Sequence, residues 1–315
     1  MATPDRAQPV PTFHGLLFIE PGERPMNLRR GYDPLDIYLR CAAACRRSVE
    51  AHGFAYRLIT NDAGAIAAGY ARLSIAAPAL IEHRFTRDVP PIPFRSAHRK
   101  LELFRLFADG GGGAFPVLMD IDAVLLRPLK FGPIEPGTIF GYDITSQVDA
   151  AAAAQDLRAV STDGCDIRWW GGEFIAGDAA AFDALADAVD RCWPVYLAAL
   201  PTHHIGDETV TSAAMAMLTR AGRPLIDLGG EVRRWWSNPT TIRQPASFAE
   251  ALQAAVLHLP ADKPMLARFA GDDLAIGEFP RVYRRHVTAR LPLHRLRALV
   301  ARASGLPRRH APRAR

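Results

Sequence analysis

Hydrophobic and polar positions in the first part of the chain predict a strand, a helix and a second strand in sequence. Residues 15–20 form an apolar run that ends at Pro21-Gly22, as a short buried strand would. Residues 34–52 place apolar side chains at helical spacing, with Gly53 as the expected helix end, and 55–60 form a second apolar run. This order is typical of a βαβ unit, in which the two strands are parallel.

The middle of the chain adds the clearest helix and an uninterrupted apolar strand. Residues 96–108 carry a broad apolar stripe behind Ser96, which is expected to cap the helix, and the glycines at 110–113 end it. Residues 115–119 are apolar throughout, as in a strand buried on both faces. Weaker patterns predict a turn at 61–64, strands at 78–84, 138–142, 172–176 and 256–259, and helices at 178–190, 208–221 and 293–303. One mixed α/β domain accommodates all of these elements.

Composition changes this picture mainly at the carboxyl end. The 315 residues are 49% hydrophobic, enough to bury one large core. The formal net charge of +5 comes from residues 281–315, which hold eleven arginines and neither an acid nor a lysine. The rest of the chain holds 27 basic and 33 acidic residues. We therefore expect a disordered N-terminus at 1–12, a mildly acidic domain at 13–280 and an Arg-rich tail at 281–315.

The Arg-rich tail suits an anionic surface. Its predicted helix at 293–303 sets apolar residues on one side and arginines elsewhere, as helices that bind anionic membranes or nucleic acid do. Tyr283 is its one Phe, Tyr or Trp residue, so the stacking side chains typical of single-strand binding are missing and no nucleic acid is expected. A solvated, unbound tail is the alternative.

Location follows from what the sequence lacks. No apolar run approaches the ~18–20 residues of a membrane span, and the polar, Pro-rich start has no apolar signal core. Cys41 and Cys45 lie at helical spacing and are expected to be buried, reduced thiols. We expect a cytoplasmic protein that associates peripherally with the inner face of the membrane.

The candidate chemistry begins at Asp120-Ile121-Asp122, directly after the apolar strand. In an extended segment two residues that are one apart share a face, and two close carboxylates repel each other unless a cation lies between them. Oxygen ligands at the carboxyl end of a buried strand suit Mg²⁺ or Mn²⁺, particularly when a substrate phosphate completes the shell. The alternative is a chance Asp-x-Asp in a turn.

A histidine and a lysine near residue 260 extend this candidate site. His258 ends an apolar run and Lys263 follows it, just before Pro264. An imidazole can complete a Mn²⁺ site, and an ammonium group can neutralise a departing diphosphate. A structural role for His258 is the alternative.

Two further motifs each allow two interpretations. Asp207 and Glu208 open a predicted helix, where acids either favour the helix dipole or orient a substrate hydroxyl. Gly171, Gly172 and Glu173 follow two tryptophans. Either the glycines let the backbone approach a sugar that packs on the tryptophans, or the segment is a β-bulge with core aromatics.

The order of these motifs resembles that of GT-A fold glycosyltransferases. The resemblance is closest to the glycogenin and bacterial lipooligosaccharide galactosyltransferase group and covers roughly residues 15–265. The shared order is Lys100 before the carboxylate strand, Asp120 to Leu129 as Asp-x-Asp followed by Val-Leu-Leu-Arg-Pro-Leu, the Gly-rich segment from Gly171 to Gly177, Asp207-Glu208 at a helix start, and His258 with Lys263-Pro264.

The resemblance implies a GT-A type mixed sheet flanked by helices and a hexosyltransferase that takes a nucleotide-sugar donor, with a UDP-sugar expected. It implies a glycan or lipid-linked acceptor, a role in polysaccharide biosynthesis, and retention at the anomeric carbon. The chain departs from the group at Glu208, where glutamine is usual, and at Met265, where tryptophan is usual. These departures leave retention or inversion open.

The resemblance also implies a role for each candidate residue. Asp120, Asp122 and His258 would hold Mn²⁺ or Mg²⁺, with Asp120 contacting either the metal or the ribose. Lys263 would hold the diphosphate. The remaining donor-binding candidates are Lys100, Gly171, Gly172 and Glu173, and the candidate catalytic pair is Asp207 and Glu208.

Two other functions stay open. A sugar-phosphate nucleotidyltransferase usually has a Gly-rich basic loop after its first strand, whereas residues 20–24 are short and partly acidic. A non-catalytic nucleotide- or sugar-binding protein with a degenerate fold of the same type is the third possibility, which the presence of Asp120, Asp122, His258 and Lys263 disfavours.

Overall fold

The computed structural model describes residues 9–20, 22, 28, 31–161, 168–237 and 246–290. Its strands are β1 (Thr12–Leu16), β2 (Ala55–Thr60), β3 (Ala79–Glu82), β4 (Pro116–Met119), β5 (Ala123–Leu125), β6 (Ile139–Gly141), β7 (Phe174–Ala176), β8 (Leu225–Asp227), β9 (Val232–Arg234) and β10 (Val256–His258). Its helices are α1 (Pro34–Glu50), α2 (Ala63–Leu73), α3 (Arg95–His98), α4 (Lys100–Ala108), α5 (Ala150–Val160), α6 (Ala179–Ala199), α7 (Asp207–Arg220), α8 (Phe248–Ala251), α9 (Lys263–Leu266) and α10 (279–290).

Seven strands form one mixed sheet in the order β3-β2-β1-β4-β7-β6-β8. The first four of these are mutually parallel, β7 pairs antiparallel with both β4 and β6, and β8 runs parallel to β6. Helices flank this sheet, so the predicted α/β class and the βαβ unit are both confirmed. Parallel neighbours require crossovers, which α1 and α2 supply between the first three strands.

A second sheet of three strands, β5-β10-β9, lies beside the first. Strand β4 belongs to the large sheet and β5 to the small one, so residues 120–122 form the junction between the two. In the small sheet His258 is in register with Ala123 on one side and with Arg234 on the other. This pairing brings the end of β10 next to the carboxylate pair, although 136 positions separate His258 from Asp122.

Two hydrophobic cores support this junction. The larger core fills the space between the seven-stranded sheet and its helices, while the smaller one lies under α1, β5, β10 and α9. Tyr283 and Val287 of α10 are buried in the smaller core. Residues 281–290, assigned to the tail from their arginines, therefore belong to the folded unit, because their apolar side chains recur at helical spacing.

Several element boundaries differ from the sequence prediction. Strand β1 begins before the predicted strand at 15–20. Its start was missed because the polar residue His14 is buried there, with its Nε2 2.9 Å from the Gly112 carbonyl oxygen. After β1, Ile19 bonds through its backbone N–H and carbonyl to the Asn61 side chain, which takes the place of strand pairing.

The predicted cap at Ser96 and the predicted turn at 61–64 are corrected. Ser96 lies inside α3, which follows Phe94 without a side-chain cap. The turn is instead the start of α2, because the Asp62 side chain accepts the Ala65 N–H at 2.8 Å. Helix α6 continues past the predicted end at 190, since its buried face extends to Tyr196.

The remaining element predictions have mixed outcomes. The strands predicted at 78–84, 138–142, 172–176 and 256–259 are present with shorter bounds, and α7 matches the helix predicted at 208–221. Helix α5 was not predicted. The helix predicted at 293–303 lies outside the described residues, as does most of 1–12. Among the described helices, none has the length and apolar composition needed to cross a membrane.

Candidate metal-binding site

The two aspartates after β4 lie in a turn, not in the extended segment that the sequence analysis assumed. The Ala123 N–H donates to the Asp120 carbonyl at 3.0 Å, which closes the turn. The Asp120 N–H also donates to the Glu173 carbonyl, and the backbone carbonyl of Asp122 accepts the Leu259 N–H, both at 3.0 Å. The turn is thus fixed from both sheets. The two carboxylates still converge, because the turn carries them to one side of the junction.

His258 completes a group that can hold a metal ion. One ligand atom each from Asp120, Asp122 and His258 lies within 4.8 Å of the other two. The His258 Nε2 is 3.2 Å from Asp122 Oδ1 and 3.6 Å from Asp120 Oδ2. Two carboxylates and one imidazole nitrogen form a ligand set that could hold a divalent metal ion.

The other imidazole nitrogen of His258 faces a buried carboxylate. Its Nδ1 lies 3.6 Å from Glu173 Oε1 and has no hydrogen-bond partner in this geometry. Histidines that bind metals usually donate their second N–H to a carboxylate or a carbonyl, which fixes the ring and its tautomer. Glu173, whose side chain is fully buried, is therefore placed to orient His258, and it is shielded from a nucleotide.

Lys100 at the start of α4 links three parts of the site. Its Nζ lies 3.0 Å from Asp120 Oδ1, 2.9 Å from Asp207 Oδ2 and 3.0 Å from the Gly172 carbonyl oxygen. The contacts with Asp207 and Gly172 are buried, and the contact with Asp120 is partly buried. Lys100 was predicted to lie near the nucleotide, and in the structure its ammonium group lies between Asp120 and Asp207.

Lys263 makes a second buried ion pair at the first residue of α9. Its Nζ lies 2.6 Å from Asp122 Oδ2 and donates to the Pro260 carbonyl at 2.9 Å. Asp122 thus has one oxygen toward His258 and the other toward Lys263. The turn from 259 to 263 holds Lys263 beside the carboxylate pair, as the late His…Lys motif predicted.

Arg234 was not predicted from the sequence, yet it connects the two glutamates of the site. It makes a paired contact with Glu173, through Nε at 2.9 Å and through a terminal nitrogen, and that nitrogen also contacts Glu208. The other Glu208 oxygen accepts the Trp169 indole N–H at 3.1 Å. Arg234 was hidden because the chain has 35 arginines and because the pairing of β9 with β10 leaves no mark in the sequence.

The net charge of this cluster is the one that a divalent cation would balance. Five carboxylates and three fixed cations lie in contact, so with a neutral His258 the cluster carries a charge of −2. The carboxylates are Asp120, Asp122, Glu173, Asp207 and Glu208, and the cations are Lys100, Lys263 and Arg234. A bound Mn²⁺ or Mg²⁺ would bring this sum to zero, which is the condition that a buried cluster favours.

The pKa shifts show how the cluster compensates without a metal. Burial alone would lower the pKa of His258, but Asp122 and Glu173 raise it to about 9. The protonated imidazole of His258 then supplies part of the positive charge that a bound metal ion would supply. Burial opposes ionisation of Asp122 as well, yet Lys263 and His258 hold its pKa well below the usual value. Burial raises the pKa of Asp120 and of Asp207 despite Lys100.

The two glycines of the Trp169–Phe174 segment make room for neighbouring side chains. A Cβ on Gly172 would come within 2.1 Å of Asp207 Oδ2, and one on Gly171 would be equally close to Glu173 Oε2. Both tryptophans are buried, so of the two interpretations the core aromatics are confirmed and the sugar platform is wrong.

Asp207 and Glu208 differ in exposure, although both belong to the cluster. Asp207 is buried against Lys100, whereas 27% of the Glu208 side chain is exposed. A similar fraction, 26%, of the Asp120 side chain is exposed. These two carboxylates therefore form the open side of the site, and helix-dipole capping alone does not account for the acidic pair.

Comparison with known proteins adds no family assignment. No protein-family model matches the sequence, and no curated protein matches it significantly. The established description is thus an α/β chain with a mixed sheet, in which an Asp-x-Asp turn and a histidine form a group able to hold a metal ion.

Proposed function

We propose that the protein is a metal-dependent glycosyltransferase of the GT-A type, which moves a sugar from a nucleoside-diphosphate sugar to an acceptor. The observation that carries the proposal is the convergence of Asp120, Asp122, His258 and Lys263 from two distant parts of the chain. A metal ligand set with an adjacent lysine matches the needs of a diphosphate leaving group.

Each residue of the site would have a distinct role in binding the metal and the donor. Asp122 and His258 would hold Mn²⁺ or Mg²⁺ together with Asp120, whose exposed oxygen can also reach a ribose hydroxyl. When bound, the cation would supply electrophilic stabilisation of the departing diphosphate. When the donor binds, Lys263 would leave its ion pair with Asp122 and pair with a phosphate oxygen of the donor. Lys100 would keep Asp120 and Asp207 ionised.

Glu208 is the candidate for contact with a substrate hydroxyl. It is part exposed, and its contacts with Arg234 and Trp169 fix its orientation. The acceptor would be a hydroxyl-rich saccharide, free or lipid-linked, whose attacking hydroxyl would contact Glu208.

The test is a screen of nucleotide-sugar hydrolysis across UDP, GDP and CMP donors, each with Mn²⁺, with Mg²⁺ and with a chelator. We expect slow hydrolysis of one donor class, a UDP-sugar first, that depends on the metal. Activity that persists in the chelator would contradict the metal assignment. Formation of a nucleotide-sugar from a nucleoside triphosphate and a sugar phosphate would favour the nucleotidyltransferase alternative.

A further inference from the structure

A further buried carboxylate lies directly before Lys263, outside the metal-binding group. Asp262 is 1% exposed. Its carboxylate accepts the Ser237 hydroxyl at 2.8 Å and the Tyr283 hydroxyl at 2.6 Å, and it pairs with Arg290 at 3.3 Å. A fully buried charge that binds no ligand needs a structural reason, because burial without partners is costly.

The partners of Asp262 come from two separate segments. Ser237 follows β9, whereas Tyr283 and Arg290 belong to α10, and His286 of the same helix lies 3.5 Å away. Tyr283 packs against Phe248 and stacks on Phe279 in the smaller core. Asp262 is thus the point at which α10 is fastened to the turn between β10 and α9.

This turn determines where the Lys263 ammonium lies. The Asp262 carbonyl accepts the N–H groups of Met265 and Leu266, which starts α9 at Lys263. The Lys263 carbonyl in turn accepts the Cys41 thiol at 3.4 Å. The Asp262 side chain therefore sets the orientation of the backbone from which Lys263 reaches Asp122.

We infer that Asp262, fastened by Tyr283 of α10, positions Lys263 for diphosphate binding and does so separately from metal binding. The inference rests on the proposed function, since it gives α10 a part in holding the donor. The hydrogen bonds and ion pairs of Asp120, Asp122 and His258 among the described residues include no residue of α10. The fastening therefore reaches the metal ligands only through Lys263, which competes with a bound cation for Asp122 and does not itself hold the metal.

The test compares two binding constants in the full chain. Mn²⁺ alone is titrated by electron paramagnetic resonance, and UDP is titrated by calorimetry at saturating Mn²⁺. Tyr283→Phe removes one hydroxyl and leaves the stacked ring. We expect its UDP dissociation constant to rise about tenfold, as for the loss of a hydrogen bond to a charged group, while Mn²⁺ affinity is not weakened. Asp262→Asn is expected to have a larger effect in the same direction.

Arg281→Gln is the matched control. It breaks an exposed ion pair with Glu278 near the start of α10, and both constants should stay as in the unmodified protein. Unchanged UDP binding in Tyr283→Phe would overturn the inference, as would equal losses of Mn²⁺ and UDP affinity, which indicate a purely structural role. If Asp262→Asn does not fold, Tyr283→Phe decides alone. Failure of the unmodified protein to bind UDP with Mn²⁺ would instead overturn the proposed function, and this inference with it.

Discussion

Asp122 is the residue on which the other charges of the site converge. Its two oxygens face His258 and Lys263, and these cations keep it ionised well below the usual pKa of an aspartate. A carboxylate that is already ionised needs to lose no proton when a cation arrives. This makes Asp122 the strongest candidate metal ligand of the group, whereas Asp120 is more exposed and shares its charge with Lys100.

Replacement of Asp122 tests this assignment. Asp122→Ala should abolish metal-dependent transfer, but it also leaves Lys263 without its carboxylate, a loss that costs roughly 3–5 kcal/mol for a buried pair. Asp122→Asn keeps the volume and an oxygen for Lys263. We expect it to retain a native circular dichroism spectrum and a cooperative thermal transition while it loses Mn²⁺ binding. Full activity in a folded Asn variant would show that Asp122 does not bind the metal.

Glu173 allows a second test at the residue scale. Because its carboxylate faces His258 Nδ1, Glu173→Gln should leave the ligands in place but loosen the ring. Loss of such a supporting partner typically weakens metal affinity about 10- to 100-fold. Titration of Mn²⁺ measures this directly, with Glu82→Gln, an exposed glutamate in β3, as a control. Unaltered Mn²⁺ affinity in Glu173→Gln would show that Glu173 does not orient His258 for metal binding.

Strand β1 lies at the centre of the parallel part of the sheet, and its buried histidine makes stability depend on pH. Burial lowers the pKa of His14 from 6.5 to about 4. The unfolded chain therefore binds a proton below pH 6.5 that the folded chain refuses until about pH 4. The stability that neutral His14 contributes is complete above pH 6.5, and it is lost as the pH falls towards 4.

His14→Gln should flatten this dependence, since glutamine keeps a donor for the Gly112 carbonyl and does not titrate. Between pH 7 and pH 5 the unmodified protein should lose about 2 kcal/mol more unfolding free energy than the variant. Urea denaturation at the two pH values measures the difference. Equal losses in both proteins would mean that His14 is not the group that titrates.

Predictability from the sequence differed from element to element. Strand β2 was predicted with its observed bounds, because Gly53 and a polar turn enclose a clean apolar run. Helix α5 was missed, because its first turns are alanines that give no large apolar stripe, although Asp149 caps it with a bond to the Ala152 N–H at 2.9 Å. The start of α2 was predicted as a turn at 61–64 for a different reason. Asn and Asp, which cap helices, are also common in turns.

The site was predictable as a set of residues, but its geometry was not. The Asp-x-Asp pair, His258 and Lys263 could be singled out because few residue types combine so well with a divalent cation and a phosphate. The assumption of an extended segment was wrong, since the junction of two sheets demands a turn at Asp120. Glu173 was named from the sequence as a donor-binding residue, but its place beside His258 depends on the pairing of β7 with β4. Arg234 was missed because its place depends on the pairing of β9 with β10.

At the scale of the whole molecule, positive charge is concentrated at the carboxyl end of the sequence. Helix α10 carries four arginines, and residues 291–315 hold seven more without an acid. We propose that residues 291–315 bind anionic membrane surfaces, where a lipid-linked acceptor would lie. Arg290 pairs with Asp262, so a truncation that tests the proposal should begin after residue 290.

Deletion of 291–315 should spare metal-dependent donor hydrolysis and weaken binding to vesicles that contain anionic lipids. Vesicle sedimentation at low and at moderate ionic strength measures the effect, because interactions of exposed charges are screened by salt. Neutral vesicles serve as the control. Vesicle binding that survives the deletion unchanged would rule out a membrane role for residues 291–315.

Two distant parts of the chain close the metal–diphosphate site that we propose. Calorimetric titration of UDP into the full chain, with Mn²⁺ and with a chelator, tests it most directly, and GDP and CDP are compared in parallel. We expect saturable binding of one nucleoside diphosphate in the presence of Mn²⁺ and no binding in the presence of the chelator. The absence of metal-dependent binding for every nucleoside diphosphate would contradict it.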